Sequence, residues 1–157
     1  MVTAAVATAA TAAALANPIT PAQHTVNVVP PPPAEYSSAE VQAAKVAACA
    51  SWDEAARALA LAGKVRASLA ESTGGSSPGT RNARTSEKLV ATSQIAYLRS
   101  QTSDATPPEL RKLIQEWTAA QIDSFHGANV RDWNSSNAAR DRGNDLVDVI
   151  APACGLR

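Results

Sequence analysis

From Ser37 to Leu69 the chain runs without a proline and with a single glycine, Gly63. It opens on Ser37-Ser38-Ala39-Glu40. At that spacing the serine hydroxyl accepts from the backbone N–H three residues on, and the glutamate reaches back to the first N–H. Such a segment predicts one long helix. Val41, Trp52, Leu59 and Leu69 fall near one face, with Ala48, Ala55 and Ala62 filling between them. Cys49 precedes Trp52 by three residues, so both point to the same side. Hydrophobic residues make up 45% of the 157, but aromatics only 4%, so the apolar content is mostly alanine and valine. Alanine is the best helix former, yet it buries little area. A core built from it needs close helix packing and a few large anchors, for which Trp52, Trp117, Trp133, Phe125 and Tyr97 are the candidates.

Three more helices follow. Residues 72–83, STGGSSPGTRNA, read as a loop of Gly, Ser and Pro. A second helix is predicted from about Thr85 or Ser86, through Leu89, Val90, Ile95, Tyr97 and Leu98, to about Thr102. Thr106-Pro107-Pro108-Glu109 then gives a threonine cap, proline at the first helical position and glutamate at the third. The helix it starts carries Leu110, Leu113, Ile114, Trp117, Ile122 and Phe125, and Gly127 and Asn129 predict an end or bend. A turn is expected around Trp133 to Ser136. A last helix with Ala139, Leu146, Val149 and Ile150 is expected to halt at Pro152. Alternation of strand type occurs only at Val26 to Val29. The expectation is an all-α, up-down four-helix bundle with a long first helix, preceded by a disordered Ala/Pro-rich N-terminal segment.

Residues 1–16 hold no charge, and the first Lys or Arg is Lys45. Ala14-Leu15-Ala16 has the small-x-small form of a signal-peptidase site. The stretch reads as an export signal whose basic n-region is missing because the true start lies upstream, or else as a flexible Ala/Thr leader. Threonines interrupt it, and it falls short of the ~20 apolar residues of a membrane span. Residues 17–36 contain four consecutive prolines, Pro30 to Pro33, which favour an extended polyproline II rod. That segment is a spacer or a tail left after export. The predicted organisation is therefore 1–16 signal, 17–36 linker and 37–157 helical domain.

In an up-down bundle the end of the fourth helix lies beside the start of the first. Cys49 and Cys154 then become neighbours, and one disulfide is expected, with two free thiols as the alternative. An export-like leader makes an oxidising compartment plausible. Two thiols without clustered His or carboxylates do not fill a tetrahedral metal shell, so no metal site is expected.

Ala48-Cys49-Ala50-Ser51-Trp52, Ile95-Ala96-Tyr97-Leu98-Arg99, Thr106-Pro107-Pro108-Glu109 and Ala153-Cys154-Gly155-Leu156 together resemble a group of small exported alanine-rich proteins of mycobacteria and related actinomycetes. The resemblance spans about 40–156. It implies a secreted or envelope-associated helical domain with a disulfide. The motifs are caps and cysteines, so no functional residue is carried over.

With 14 basic and 14 acidic residues the net charge is near zero, against a nucleic-acid binder, which carries a basic stripe. Gly-x-Ser-x-Gly, the Walker loop and the dinucleotide glycine pattern are missing from the sequence. No catalytic residue, cofactor or metal is assigned. His24 lies in the linker, and His126 stands one turn after Asp123, near Phe125 and Trp117. His126 reads either as an axial ligand or as a helix-end histidine facing the negative helix terminus. Glu40, Asp53, Glu54, Glu71 and Arg140-Asp141-Arg142 read as solvated faces with local ion pairs. Asn134-Ser135-Ser136 fits a glycosylation sequon, relevant only in a eukaryotic secretory pathway. The functional expectation is a non-enzymatic exported or cell-envelope domain that binds a protein, lipid or wall component. The alternative is a carrier for haem or a lipid, using a groove lined by Trp117, Phe125 and His126. A groove favours the carrier; a solid bundle favours the interaction domain.

Overall fold

A computed structural model describes residues 35–156. The export-signal reading, most of the linker and the Val26–Val29 alternation lie outside these residues. The described chain is all-α: α1 (Ser38–Thr73), α2 (Pro78–Gln101), α3 (Pro108–Asn129) and α4 (Trp133–Ala153). The helices run up and down as a four-helix bundle, and α1 is the longest at 36 residues. Packing is closest between α1 and α2 and between α3 and α4, so the bundle is built from two helical hairpins.

Each start has a local cause. The predicted reciprocal cap forms at α1: Ser37 Oγ accepts from the Glu40 N–H, and Glu40 Oε2 accepts from the Ser37 N–H at 2.8 Å. Gly74, at φ 86°, ends the helix in a conformation that costs glycine little. The α1–α2 connection is shorter than predicted. Ser77 caps α2 by accepting from the Thr80 N–H at 3.1 Å, and Pro78 takes the first helical position. The apparent loop 72–83 thus shrinks to 74–77, and α2 starts seven residues before Thr85. Thr106 is buried but does not cap α3; Pro107 occupies the cap position without a side-chain hydrogen bond.

The end expected at Gly127 and Asn129 falls at Asn129, the last residue of α3. Gly127 lies inside α3, where α4 comes so close that a Cβ there would stand 2.8 Å from Ser136 N. The turn falls at 130–132 rather than 133–136: Arg131 takes φ 63°, and the Asp132 carboxylate accepts from the Ser135 N–H and hydroxyl to start α4 at Trp133. Pro152 does not halt α4, which runs one residue further. The chain then closes with a left-handed cap. Gly155 takes φ 71°, its N–H donates to the Pro152 carbonyl at 2.9 Å, and the Leu156 N–H donates to the Ala151 carbonyl at 2.8 Å.

The core sits where the hairpins meet. Trp52 with Ala48, Cys49 and Ala55 of α1 packs against Leu98 of α2, Leu110, Ile114 and Trp117 of α3, and Ile150 of α4. The two indoles meet edge to face, with centroids 6.1 Å apart and planes at 74°. Of the five candidate anchors, Trp52 and Trp117 are buried, each 2% exposed, whereas Trp133 and Tyr97 are 55% and 45% exposed. Phe125 is half-buried. Cys49 and Cys154 are joined by a disulfide, with Cα atoms 5.4 Å apart. Among the described residues no helix is long and apolar enough to cross a membrane.

Candidate functional site

Above the tryptophan pair the four helices do not close on one another. They leave a half-open cavity of about 690 Å³ whose wall takes residues from every helix and from the C-terminal turn. That volume lies in the range of small-molecule sites. The part nearest the core is apolar: Trp52, Ala56 and Leu59 of α1, Trp117 of α3, Val147 and Ala151 of α4, and Leu156. Leu156 reaches it because Gly155 turns the chain back. Gly63, which costs something inside a helix, leaves the α1 wall without a side chain next to the Glu87 carboxylate.

Toward the two hairpin turns the lining changes character. Across the wall, five cationic side chains (Arg57, Arg66, Arg84, Lys88 and Arg140) face two carboxylates, Asp53 and Glu87; the Asp53–Arg57 pair sits beside Trp52, while Arg66, Arg84, Lys88 and Glu87 lie nearer the α1–α2 turn. Both carboxylates are already paired. Asp53 holds Arg57 one turn on at 2.9 Å, and this pair raises the Arg57 pKa above its ordinary value, first through the hydrogen bond and then through the charge. Glu87 holds Arg66 at 2.6 Å, half-buried, tying α1 to α2. Arg84, Lys88 and Arg140 have no carboxylate partner among the described residues; the Lys88 ammonium donates to the Asn129 side-chain oxygen of α3. Asn144, Gln121 and exposed Trp133 complete the polar part. The exposure of Arg57, Arg84, Trp133 and Arg140 connects this end to solvent.

Within the core beneath the cavity, the indole N–H groups of Trp52 and Trp117 are buried with no acceptor among the described residues. Buried tryptophans usually find one.

Of the three residues read as a groove, Trp117 and Phe125 lie on this wall. His126 does not. It follows half-buried Phe125 by one residue, about 100° around the helix, and it is exposed in the last turn of α3. This removes His126 as an axial ligand in this cavity. Asp123 does not hold it either, because that carboxylate pairs with Arg142 of α4 at 2.7 Å. Arg140, Asp141 and Arg142 are exposed, as expected; Arg140 stands at the cavity rim, and Arg142 pairs with Asp123 across to α3. The sequence reading missed Trp52, Arg84, Lys88 and Arg140 as cavity residues. Among the described residues no group of three or more His, Cys, Asp or Glu is placed to hold a metal ion.

The fold and cavity define a disulfide-joined, all-α four-helix domain with a polarised interior cavity. No protein-family model, no curated protein and no solved structure matches the chain.

Proposed function

We propose that this is a non-enzymatic binding domain of an extracytoplasmic compartment, and that its ligand is a small molecule held in the cavity between the hairpins. One observation carries the reading: a cavity of about 690 Å³ with an aromatic and aliphatic floor and a charged rim, where an alanine-rich bundle could have closed. Leaving it open forgoes the dispersion contacts that close packing provides. The joined cysteines support an oxidising compartment, where such a bond persists. A binding role is supported over catalysis because a reaction needs a nucleophile, a base and a charge stabiliser gathered at one point. Among the described residues the cavity wall holds no His or thiol, and both its carboxylates are engaged by arginines.

Native mass spectrometry of the protein purified from its own cells tests this reading. The expected result is one small molecule per chain, lost when Ala60→Trp and Ala128→Trp together fill the cavity. A chain that carries no small molecule and acquires none from a lipid or metabolite extract contradicts it.

A further inference from the structure

Building on that reading, we infer that the cavity takes an anionic amphiphile: one acidic head group on an elongated apolar body. Charge is placed unevenly over the molecule. The chain has equal numbers of basic and acidic residues, yet the cavity wall has three cations more than it has carboxylates. The excess consists of Arg84, Lys88 and Arg140, the three without a carboxylate partner. Such clefts focus potential and raise the local concentration of an oppositely charged ligand.

The second observation is the axial order of the wall. Trp52 and Arg66 both line the cavity from α1 and are fourteen residues apart, about 21 Å along a helix axis. On α2, Arg84 and Lys88 lie in the half nearer the Gly74–Ser77 turn; on α4, Arg140 lies two turns from the helix start. The tryptophan pair, Val147, Ala151 and Leu156 lie toward the opposite end, at the core. An inorganic anion would use the rim and leave the floor unfilled. A neutral hydrocarbon would use the floor and leave the three rim cations without a counter-charge. Only a molecule with both parts satisfies both ends.

The third observation is the sign of the rim. Arg84, Lys88 and Arg140 are cations without a carboxylate partner among the described residues. A cationic head would meet repulsion at the rim and find no free carboxylate. An acidic head finds charge-assisted hydrogen bonds, the stronger kind.

Competition against a neutral naphthylamine dye, with oleate, oleyl alcohol and oleylamine below their aggregation concentrations, tests the inference on the intact protein. These probes share one tail and differ in head charge; inorganic phosphate supplies a head without a body. The expected order is oleate at least about tenfold tighter than oleyl alcohol, oleylamine weakest, and phosphate without effect at millimolar concentration. Raising salt weakens oleate selectively, and Arg84→Gln with Lys88→Gln and Arg140→Gln abolishes its advantage, with the circular-dichroism melt as the check on folding. Equal binding of oleate and oleyl alcohol, or an oleate preference indifferent to salt, overturns the head-group assignment and leaves the cavity reading standing. Displacement by phosphate as effective as by oleate overturns the amphiphile. A dye and three lipids that all fail to bind remove the cavity reading itself.

Discussion

Cys49 and Cys154 are 105 positions apart in sequence, and their Cα atoms are 5.4 Å apart. Cys49 faces the core one turn before Trp52, and Cys154 is the last residue before the left-handed turn at Gly155. One bond therefore fixes the end of α4 against α1 and holds Leu156 on the cavity wall. Closing a loop of this size contributes up to ~4.7 kcal/mol in the chain-entropy account, and removal of native bridges from small domains costs about 2–5 kcal/mol. Reduction, or Cys49→Ser with Cys154→Ser, is expected to lower Tm by more than about 10 °C. Scanning calorimetry with and without reductant checks this; a shift under about 2 °C contradicts it.

The tryptophans divide by burial. Trp52→Ala or Trp117→Ala removes a side chain 2% exposed and is expected to cost about 3–5 kcal/mol. Trp133→Ala, at a residue 55% exposed, is expected to stay within about 0.5 kcal/mol. Urea unfolding of the three variants measures all of these, and a Trp133 cost equal to the other two would falsify the packing described.

Two helix glycines make opposite predictions. At Gly127 a Cβ would meet backbone: Ser136 N at 2.8 Å and Asp132 O at 3.0 Å. Gly127→Ala is therefore expected to destabilise by about 1–3 kcal/mol, because neither helix can yield without shifting. At Gly143 the nearest atom is Gln121 Nε2 at 2.7 Å, the far end of a flexible side chain. Gly143→Ala is expected to be neutral or to gain up to about 1 kcal/mol from the better helix former. Thermal melts of the pair decide it, and a stabilised Gly127→Ala contradicts the close approach of α3 and α4.

Acid sensitivity follows from the caps. The Ser37 hydroxyl, then its N–H, holds the Glu40 carboxyl below its ordinary range; the Ser135 hydroxyl, then its N–H, does the same for Asp132. A carboxyl whose folded pKa is depressed stabilises the fold above its unfolded value, about 4.3 for Glu and 3.9 for Asp. That contribution is lost as pH falls through the lower folded values. Tm is expected to hold from pH 7 to about 5 and to fall below about 4. Glu40→Gln with Asp132→Asn is expected to lower Tm at pH 7 and to shrink the acid drop; an unchanged drop contradicts the role of these caps.

What could be read from the sequence was local. The Ser37–Glu40 cap, the apolar spacing around Trp52 and Trp117, and the two cysteines act within a turn or follow from simple topology, and each appears where the pattern places it. The start of α2 was hidden because Ser77-Pro78 is both loop composition and a good helix start, and the polar run after it has no apolar period. Thr106 looked like a cap, but the two prolines after it moved the helix start on by one residue. The cavity was half legible. Trp117 and Phe125 announce an aromatic wall, whereas Arg84, Lys88 and Arg140 look like ordinary surface charges. The spacing puts Arg84 and Lys88 on one face of α2, but only the packing of two hairpins brings Arg140 of α4 onto the same wall. His126 shows the reverse error, since closeness in sequence to Phe125 puts it on a different face.

The most direct measurement on the cavity is a titration of the intact protein with a neutral apolar dye, N-phenyl-1-naphthylamine, followed by loss of tryptophan emission. Trp52 and Trp117 form the floor, so a dye seated there quenches them. The account predicts saturable binding of one dye per chain, abolished by Ala60→Trp with Ala128→Trp while the melting curve keeps its shape. Dye binding that does not saturate, or that survives unchanged in the filled variant, would contradict it.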